Sequence, residues 1–242
     1  MSDNKINQWI ADLLEGDRQT QMQAFNNLEA HGNAQMVKPL TQIIKDQSKD
    51  AKVRHLAIDV LVTFGDPAVN EVLLDILQDT DPKVRTSALW GLRDIGDRRA
   101  IEPLSQVLRQ DNSPSVRAVA AITLGTLAGD LAVQSLITTL AGDQSGFVRA
   151  CAAESLGIIA DPAAIGPLIA ALKDSDEDVR QEAAVKLGVF GDEAAVKPLI
   201  ASMNDDEHVY VRKSAVQSLE IIGSLEALAA VTAWRRKDKG SV

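Results

Sequence analysis

The chain has 242 residues, 45% of them hydrophobic and only 3% aromatic, and a formal charge of −9. That hydrophobic content excludes a disordered chain, and an apolar fraction built on Ala, Leu, Val and Ile favours closely packed helices over a β-sandwich. The acidic balance argues against nucleic acid or an anionic membrane surface as a general partner, because both need basic footprints.

In chain order, the N-terminal stretch MSDNKINQWIADLLEGD has no apolar signal core. Residues 1–32 read as a degraded first repeat: Ala24, Leu28 and Gly32 lie 33 residues before Ala57, Leu61 and Gly65. From there the pair Val-Arg recurs at Arg54, Arg85, Arg117, Arg149, Arg180 and Arg212, in steps of 31, 32, 32, 31 and 32 residues. A period of that length holds two short helices and two turns, the mark of a helical solenoid. Three residues after each arginine stands Ala, seven after stands Leu, and eleven after stands Gly or Ala (Gly65, Gly96, Ala128, Ala160, Gly191, Gly223). Offsets of 3, 7 and 10 line one helix face, and a small residue at 11 suits a left-handed C-terminal cap.

Each Val-Arg helix (the B helix of a pair) is followed by an A helix. Asp66-Pro67 and Asp161-Pro162 read as N-cap and first helical residue of A helices. Pro39-Leu40, Pro103-Leu104, Pro167-Leu168 and Pro198-Leu199 place a proline in the first turn, where it removes no helical hydrogen bond. The expected organisation is one domain over 1–242: the capping repeat 1–32, six regular repeats over 33–223, a capping helix at 224–236 and a frayed tail at 237–242. No apolar run approaches the ~18 residues of a membrane span. The lone Cys151 allows no intrachain disulfide, so a cytoplasmic protein is expected.

Acids occupy the turn before each B helix. Six residues before the arginine stand Ser48, Asp79, Asp111, Asp143, Asp174 and Asp206; four before stand Asp50, Asp81, Ser113, Ser145, Asp176 and His208. The latter are the helix N-caps. In DSDEDVRQEA (174–183) the alternate aspartates imitate the start of a calcium loop. Such a loop needs Gly at position 6 and Glu at position 12, where this chain has Val179 and Val185, so no metal site is expected.

The pattern D-x-D-x-x-V-R-x-x-A-x-x-x-L-G-x-x-G-D-x-x-A-x-x-P-L, clearest over Asp174–Leu199, resembles the HEAT-like repeats of the phycobilisome bilin-lyase family. The resemblance covers nearly the whole chain and implies an all-α, right-handed α-solenoid of about seven helix pairs plus a C-terminal capping helix. It also implies a ladder in which the aspartate six before each arginine pairs with the arginines of adjoining repeats, here Asp79/Arg85, Asp111/Arg117, Asp143/Arg149, Asp174/Arg180 and Asp206/Arg212. Ser48 breaks that pattern, so the ladder is expected to be incomplete at Arg54. Repeats of this kind serve bilin attachment, phycobilisome breakdown, iron–sulfur assembly partners and plain scaffolds.

Catalytic signals are missing from the sequence. His31, His55 and His208 fall at unrelated offsets in different repeats, and there is no HExxH, paired CxxC or glycine-rich phosphate loop. Cys151 has no base partner legible in the sequence, and an inert thiol, buried or half-buried, is expected. Arg93, Arg98 and Arg99 form one basic spot, read as a solvated helix end.

In solenoids like the one resembled, B helices line the concave side. With offsets 3, 7 and 10 in the core, offsets 1, 5 and 9 face outward and should be polar. Instead the chain places Trp90, Ile122, Ile158, Val185 and Val189 there, with Glu154 among them and Val119 on the flank. The expectation is a non-catalytic scaffold that binds another protein through this apolar concave groove, as a monomer or weak homodimer, with no nucleic acid, no membrane insertion and no cofactor. The alternative implied by the resemblance is a bilin lyase or chromophore chaperone, with a linear tetrapyrrole in the groove and Glu154 accepting from its pyrrole N–H groups.

Overall fold

The computed structural model describes residues 3–65, 68–127 and 129–239. These residues form fifteen α-helices, with short 3₁₀ turns and, among the described residues, no strand. They fall into two compact units, residues 1–107 and 108–242.

The first unit contains α1 (Asp3–Glu15), α2 (Arg18–His31), α3 (Val37–Lys45), α4 (Ala51–Phe64), α5 (Ala68–Ile76) and α6 (Pro82–Ile95). Within it, α1 packs on α2, α3 on α4 and α5 on α6, while the B helices α2, α4 and α6 stack in turn. Helix α7 (Ile101–Gln110) crosses from the first unit into the second. The second unit continues with α8 (Pro114–Leu127), α9 (Asp130–Gly142), α10 (Gly146–Ile159), α11 (Ile165–Ala171), α12 (Glu177–Phe190), α13 (Val196–Asp205), α14 (Val209–Ile222) and α15 (Leu225–Lys239). Its B helices stack as α8, α10, α12, α14; the A helices α9, α11 and α13 pack on α10, α12 and α14, and α15 closes on α13 and α14. The chain is thus an all-α solenoid of helix pairs. Helix α15 runs three residues beyond the expected 236.

The repeated sequence positions are the core. Ala57, Ala88, Ala120, Ala152, Ala183 and Ala215, at offset 3, are fully buried, as are Leu61, Leu92, Leu124, Leu156, Leu187 and Leu219, at offset 7. Each such leucine contributes about 2 kcal/mol on burial, while each alanine lets the adjoining helix come close. The B helices of the second unit come closer still at glycines. A Cβ on Gly125 would lie 2.7 Å from the Ser155 Cβ, and one on Gly188 2.7 Å from the Ser218 Cβ. The two serines tie the same helices together, Ser155 Oγ donating to Ala121 O at 3.0 Å and Ser218 Oγ to Ala184 O at 2.8 Å.

B helices end on left-handed caps at Gly65, Gly96, Ala160, Gly191 and Gly223. The expected cap at Ala128 and the Asp66-Pro67 pair lie outside the described residues. The A helices start differently from the expectation. Asn33, Asp97, Asp161 and Asp192 each accept a hydrogen bond from the N–H two residues on, but the turn they cap is a 3₁₀ turn three residues long, and the α-helix proper follows it. The prolines of the Pro-Leu pairs are the third residues of α3, α7, α11 and α13, where no intrahelical N–H is required.

Candidate interaction surface on the B helices

The turns before the B helices form a continuous electrostatic frame in each unit. Each aspartate six before an arginine organises its own turn: the Asp79, Asp111, Asp143, Asp174 and Asp206 carboxylates accept from the N–H two residues on, at 2.8–2.9 Å. The carboxylates of Asp143, Asp174 and Asp206 also receive the arginine of the preceding repeat. Arg117 donates through Nε and Nη2 to Asp143 at 2.7 and 2.8 Å, Arg149 to Asp174 at 2.8 and 2.6 Å, and Arg180 to Asp206 at 2.8 and 3.2 Å. From Arg85 onward the arginine Nη1 donates to the main-chain oxygen of its own turn: Arg85 to Asp79 O, Arg117 to Asp111 O, Arg149 to Asp143 O, Arg180 to Asp174 O and Arg212 to Asp206 O. A planar fork with five donors suits such bridging of two turns.

One expectation about this ladder is corrected. Arg54 is fully engaged: it donates to both carboxylate oxygens of Asp79 and, through Nε, to Ile44 O at 2.7 Å. Because Arg54, like Arg117, Arg149 and Arg180, reaches forward, Ser48 cannot deprive it; the rung Ser48 affects is the one before. There Gln21 holds the arginine slot and donates to Leu13 O, while Ser48 bonds to Asp46. Both members of that rung are replaced together.

The frame shifts its own titrations. Burial by itself would raise the carboxyls of Asp143, Asp174 and Asp206, but the arginine and main-chain hydrogen bonds outweigh it and hold all three below the ordinary range. The same hydrogen bonds raise Arg117, Arg149 and Arg180. In DSDEDVRQEA, then, Asp174 takes Arg149, and Asp176 accepts the Asp178 N–H as N-cap. Among the described residues no group of three or more His, Cys, Asp or Glu side chains is arranged to hold a metal ion.

The outward faces of the B helices differ between the units. On α4 and α6 of the first unit, offsets 1, 5 and 9 carry His55, Asp59, Thr63, Thr86, Trp90 and Asp94. Burial and the nearby Asp94 raise the Asp59 carboxyl, against the pull of His55. Trp90 is half-buried, and the Arg93 guanidinium sits 4.4 Å over its ring. It is therefore part of a charged surface, in a different unit from the other groove residues named above.

In the second unit the outward face carries an aliphatic row. At offset 9, Ile158 is 56% exposed, Val189 60% and Ile221 58%. They occupy the same position on α10, α12 and α14, three helices stacked in sequence. Val119, Ile122 and Val185 are half-buried rather than exposed, because the close approaches at Gly125, Gly157 and Gly188 draw the B helices together over offsets 2 and 5. They form the floor of the strip, and Ile158, Val189 and Ile221 form its open part. Glu154 is exposed on α10, and Glu182 forms an i,i+4 pair with Lys186 at 2.9 Å. Cys151 is buried beneath them. Burial, with Glu154 and Glu182 adding to it, pushes the thiol up to about 11, so it stays protonated at neutral pH and is a poor nucleophile. The strip has no aromatic ring, no histidine and one freely exposed acid. Ile221 was legible in the sequence at the same offset as Ile158 and Val189.

A family model for HEAT repeats matches residues 37–112, 101–184 and 165–242. No curated protein matches the chain. Among solved structures, YibA of Escherichia coli is similar over 99% of this chain and 93% of its own, at 19% identity and a TM-score of 0.68. Kap95p, solved in complex with RanGDP, is 14% identical with a TM-score of 0.67, covering 91% of this chain and 34% of Kap95p. The CpcE–CpcF complex of phycocyanin lyase from Nostoc sp. PCC7120 is 19% identical with a TM-score of 0.50, covering 96% and 94%. At these identities the likenesses show the fold alone. Among the described residues no helix is long and apolar enough to cross a membrane. With the repeat model matched three times over residues 37–242, the chain belongs to the HEAT-repeat family.

Proposed function

We propose that the chain is a non-catalytic scaffold that holds an amphipathic helix of a partner protein on the aliphatic strip of its second unit. The observation that carries this reading is the register of Ile158, Val189 and Ile221, each more than half exposed at one position of three successive helices. Stacked helices lie about 8–10 Å apart. A helix crossing them meets one after another at roughly seven-residue intervals, since seven residues rise about 10.5 Å. Apolar side chains at i, i+7 and i+14 would therefore seat in turn on the three aliphatics. Glu154 beside the strip, and Asp161 and Asp192 just past its helices, favour basic residues on the flanks of that helix. The strip is ordered by the ladder and the serine ties before binding, so little entropy is lost there on capture.

Trp90 is left out of this reading, which rests on the second unit alone. The test is affinity capture from the source cell with wild type, Ile158→Glu and Val189→Glu, alongside helicity and melting. The variants should fold as wild type and lose the captured protein. Retention of the same protein by both variants would defeat the assignment. The HEAT fold of CpcE–CpcF keeps a second reading in play, a bilin on the same strip with Glu154 as acceptor. Micromolar bilin mixed with the protein would then change its visible spectrum, and an unchanged spectrum would dismiss it. An accessory role in phycobilisome metabolism or in iron–sulfur assembly is the protein-binding reading with a named partner, and the captured protein decides it.

A further inference from the structure

Helix α15 is apolar on every side over Leu225–Trp234, where Glu226 is its one charged residue. One side is covered: Ala227 and Val231 are buried and Ala230 and Trp234 half-buried, with α13 and α14 packed against the helix. The opposite side carries Leu225, Leu228, Ala229, Thr232 and Ala233, all exposed, at the i, i+3, i+4, i+7, i+8 spacing of a packing face. Leu225 is 90% exposed and Leu228 44%. A helix with two apolar sides is ordinarily covered on both.

We propose that a second copy of this chain covers the outer side, α15 packing antiparallel on α15 about a two-fold axis. The charges on the helix argue for that occupant. Glu226 stands in the first turn, and Arg236 lies ten residues on; Arg235 is already engaged, its Nη2 2.7 Å from Glu220 of its own chain. With the axis level with residues 230 and 231, Glu226 of each copy comes beside Arg236 of the other, and Leu228 of each comes beside the small Ala233 of the other. A parallel arrangement would set Glu226 against Glu226 and Arg236 against Arg236. The antiparallel one also opposes the two helix dipoles. An isologous contact requires this kind of self-complementarity. The contact is about three turns long, so the dimer is weak, with a dissociation constant on the order of micromolar to tens of micromolar. This face of α15 shares no residue with the strip proposed to bind a partner protein.

Sedimentation equilibrium of the full chain from about 5 to about 200 μM brackets that range. Wild type should dimerise and Leu228→Glu should be monomeric. Glu226→Lys should weaken the dimer on the order of tenfold, by setting like charges together. Combining Glu226→Lys with Arg236→Glu should restore it, and only a second copy of the same chain can supply that rescue. Ala233→Arg, on the same side, decides the matter if Leu228→Glu does not fold by circular dichroism. A wild type monomeric throughout, as a different occupant of this face would leave it, overturns the proposal. So does a dimer indifferent to both Leu228→Glu and Ala233→Arg, or one that the double reversal fails to restore.

Discussion

Asn70 occupies a position that five other repeats fill with an aliphatic residue. Three residues before the buried leucine of each A helix stand Val37, Ile101, Val133, Ile165 and Val196; before Leu73 stands Asn70. It is buried in α5, and neither its Oδ1 nor its Nδ2 has a hydrogen-bond partner among the described residues. An amide buried without partners costs about 1–3 kcal/mol relative to water. Valine is close to asparagine in size and in helix propensity, so Asn70→Val removes that cost without a new cavity or a weaker helix. The expected gain is about 1–3 kcal/mol, read as a higher denaturant midpoint at unchanged m-value. In a chain of this size it corresponds to a rise of roughly 2–4 °C per kcal/mol in the melting temperature. Both curves should be followed by circular dichroism at two wavelengths, because repeat arrays can unfold in stages. A loss of stability in Asn70→Val would refute the reasoning: it would mean that the amide is satisfied, for example by a buried water, and stabilises the repeat it interrupts.

Three further substitutions test other parts of the frame. Ala160 is the one non-glycine residue in a left-handed cap among the described residues, so Ala160→Gly should raise stability by roughly 0.5–1 kcal/mol, measured by urea unfolding. Gly188→Val should cost about 2–3 kcal/mol, because its Cβ would meet the Ser218 side chain and force α12 from α14; an unchanged midpoint would show that the stack yields freely there. The Asp143, Asp174 and Asp206 carboxyls are lowered in the folded state, so their stabilisation is complete above the unfolded value of about 3.9 and is lost as pH falls through the folded values. Stability should therefore drop from about pH 5 downward. Asp174→Asn should be less stable at pH 7 by about 2 kcal/mol, with a flatter acid limb, since Arg149 loses its charged partner.

The parts of the structure legible in the sequence are those where one residue type answers one local requirement. Alanine at offset 3, leucine at 7 and a small residue, most often glycine, at 11 repeat because close packing and a positive φ favour them, and they mark the B helices. What the sequence left open depended on geometry between repeats. The arginine reaches forward rather than back, which is why Arg54 keeps its carboxylate and the lost rung falls at Gln21 and Ser48. Likewise, the angular position of Ile122 and Val185 faces them outward and that of Val119 puts it on the flank, but only the helix separation fixes how much water reaches them. The glycines at 125, 157 and 188 bring the helices close enough to bury half of each. Trp90 stands apart for another reason: Arg93, three residues on along the same helix, lies over its ring.

The aliphatics at offset 9 have no such structural requirement behind them. Single exposed hydrophobics are common on soluble proteins and call for no explanation. A row of three at identical positions of adjoining helices is a different observation, because the first unit places Thr63 and Asp94 at the same offset and the second unit itself places Thr126 there. The fold therefore accepts polar residues at this offset. The aspartate–arginine ladder and the leucine core are built without it, so Ile158, Val189 and Ile221 contribute little to the stack while leaving apolar surface in water. Residues that the frame does not need, repeated with the frame's own period, are best explained by something outside the chain that has that period. A helix laid across the stack does so, because its seven-residue rise matches the separation of packed helices.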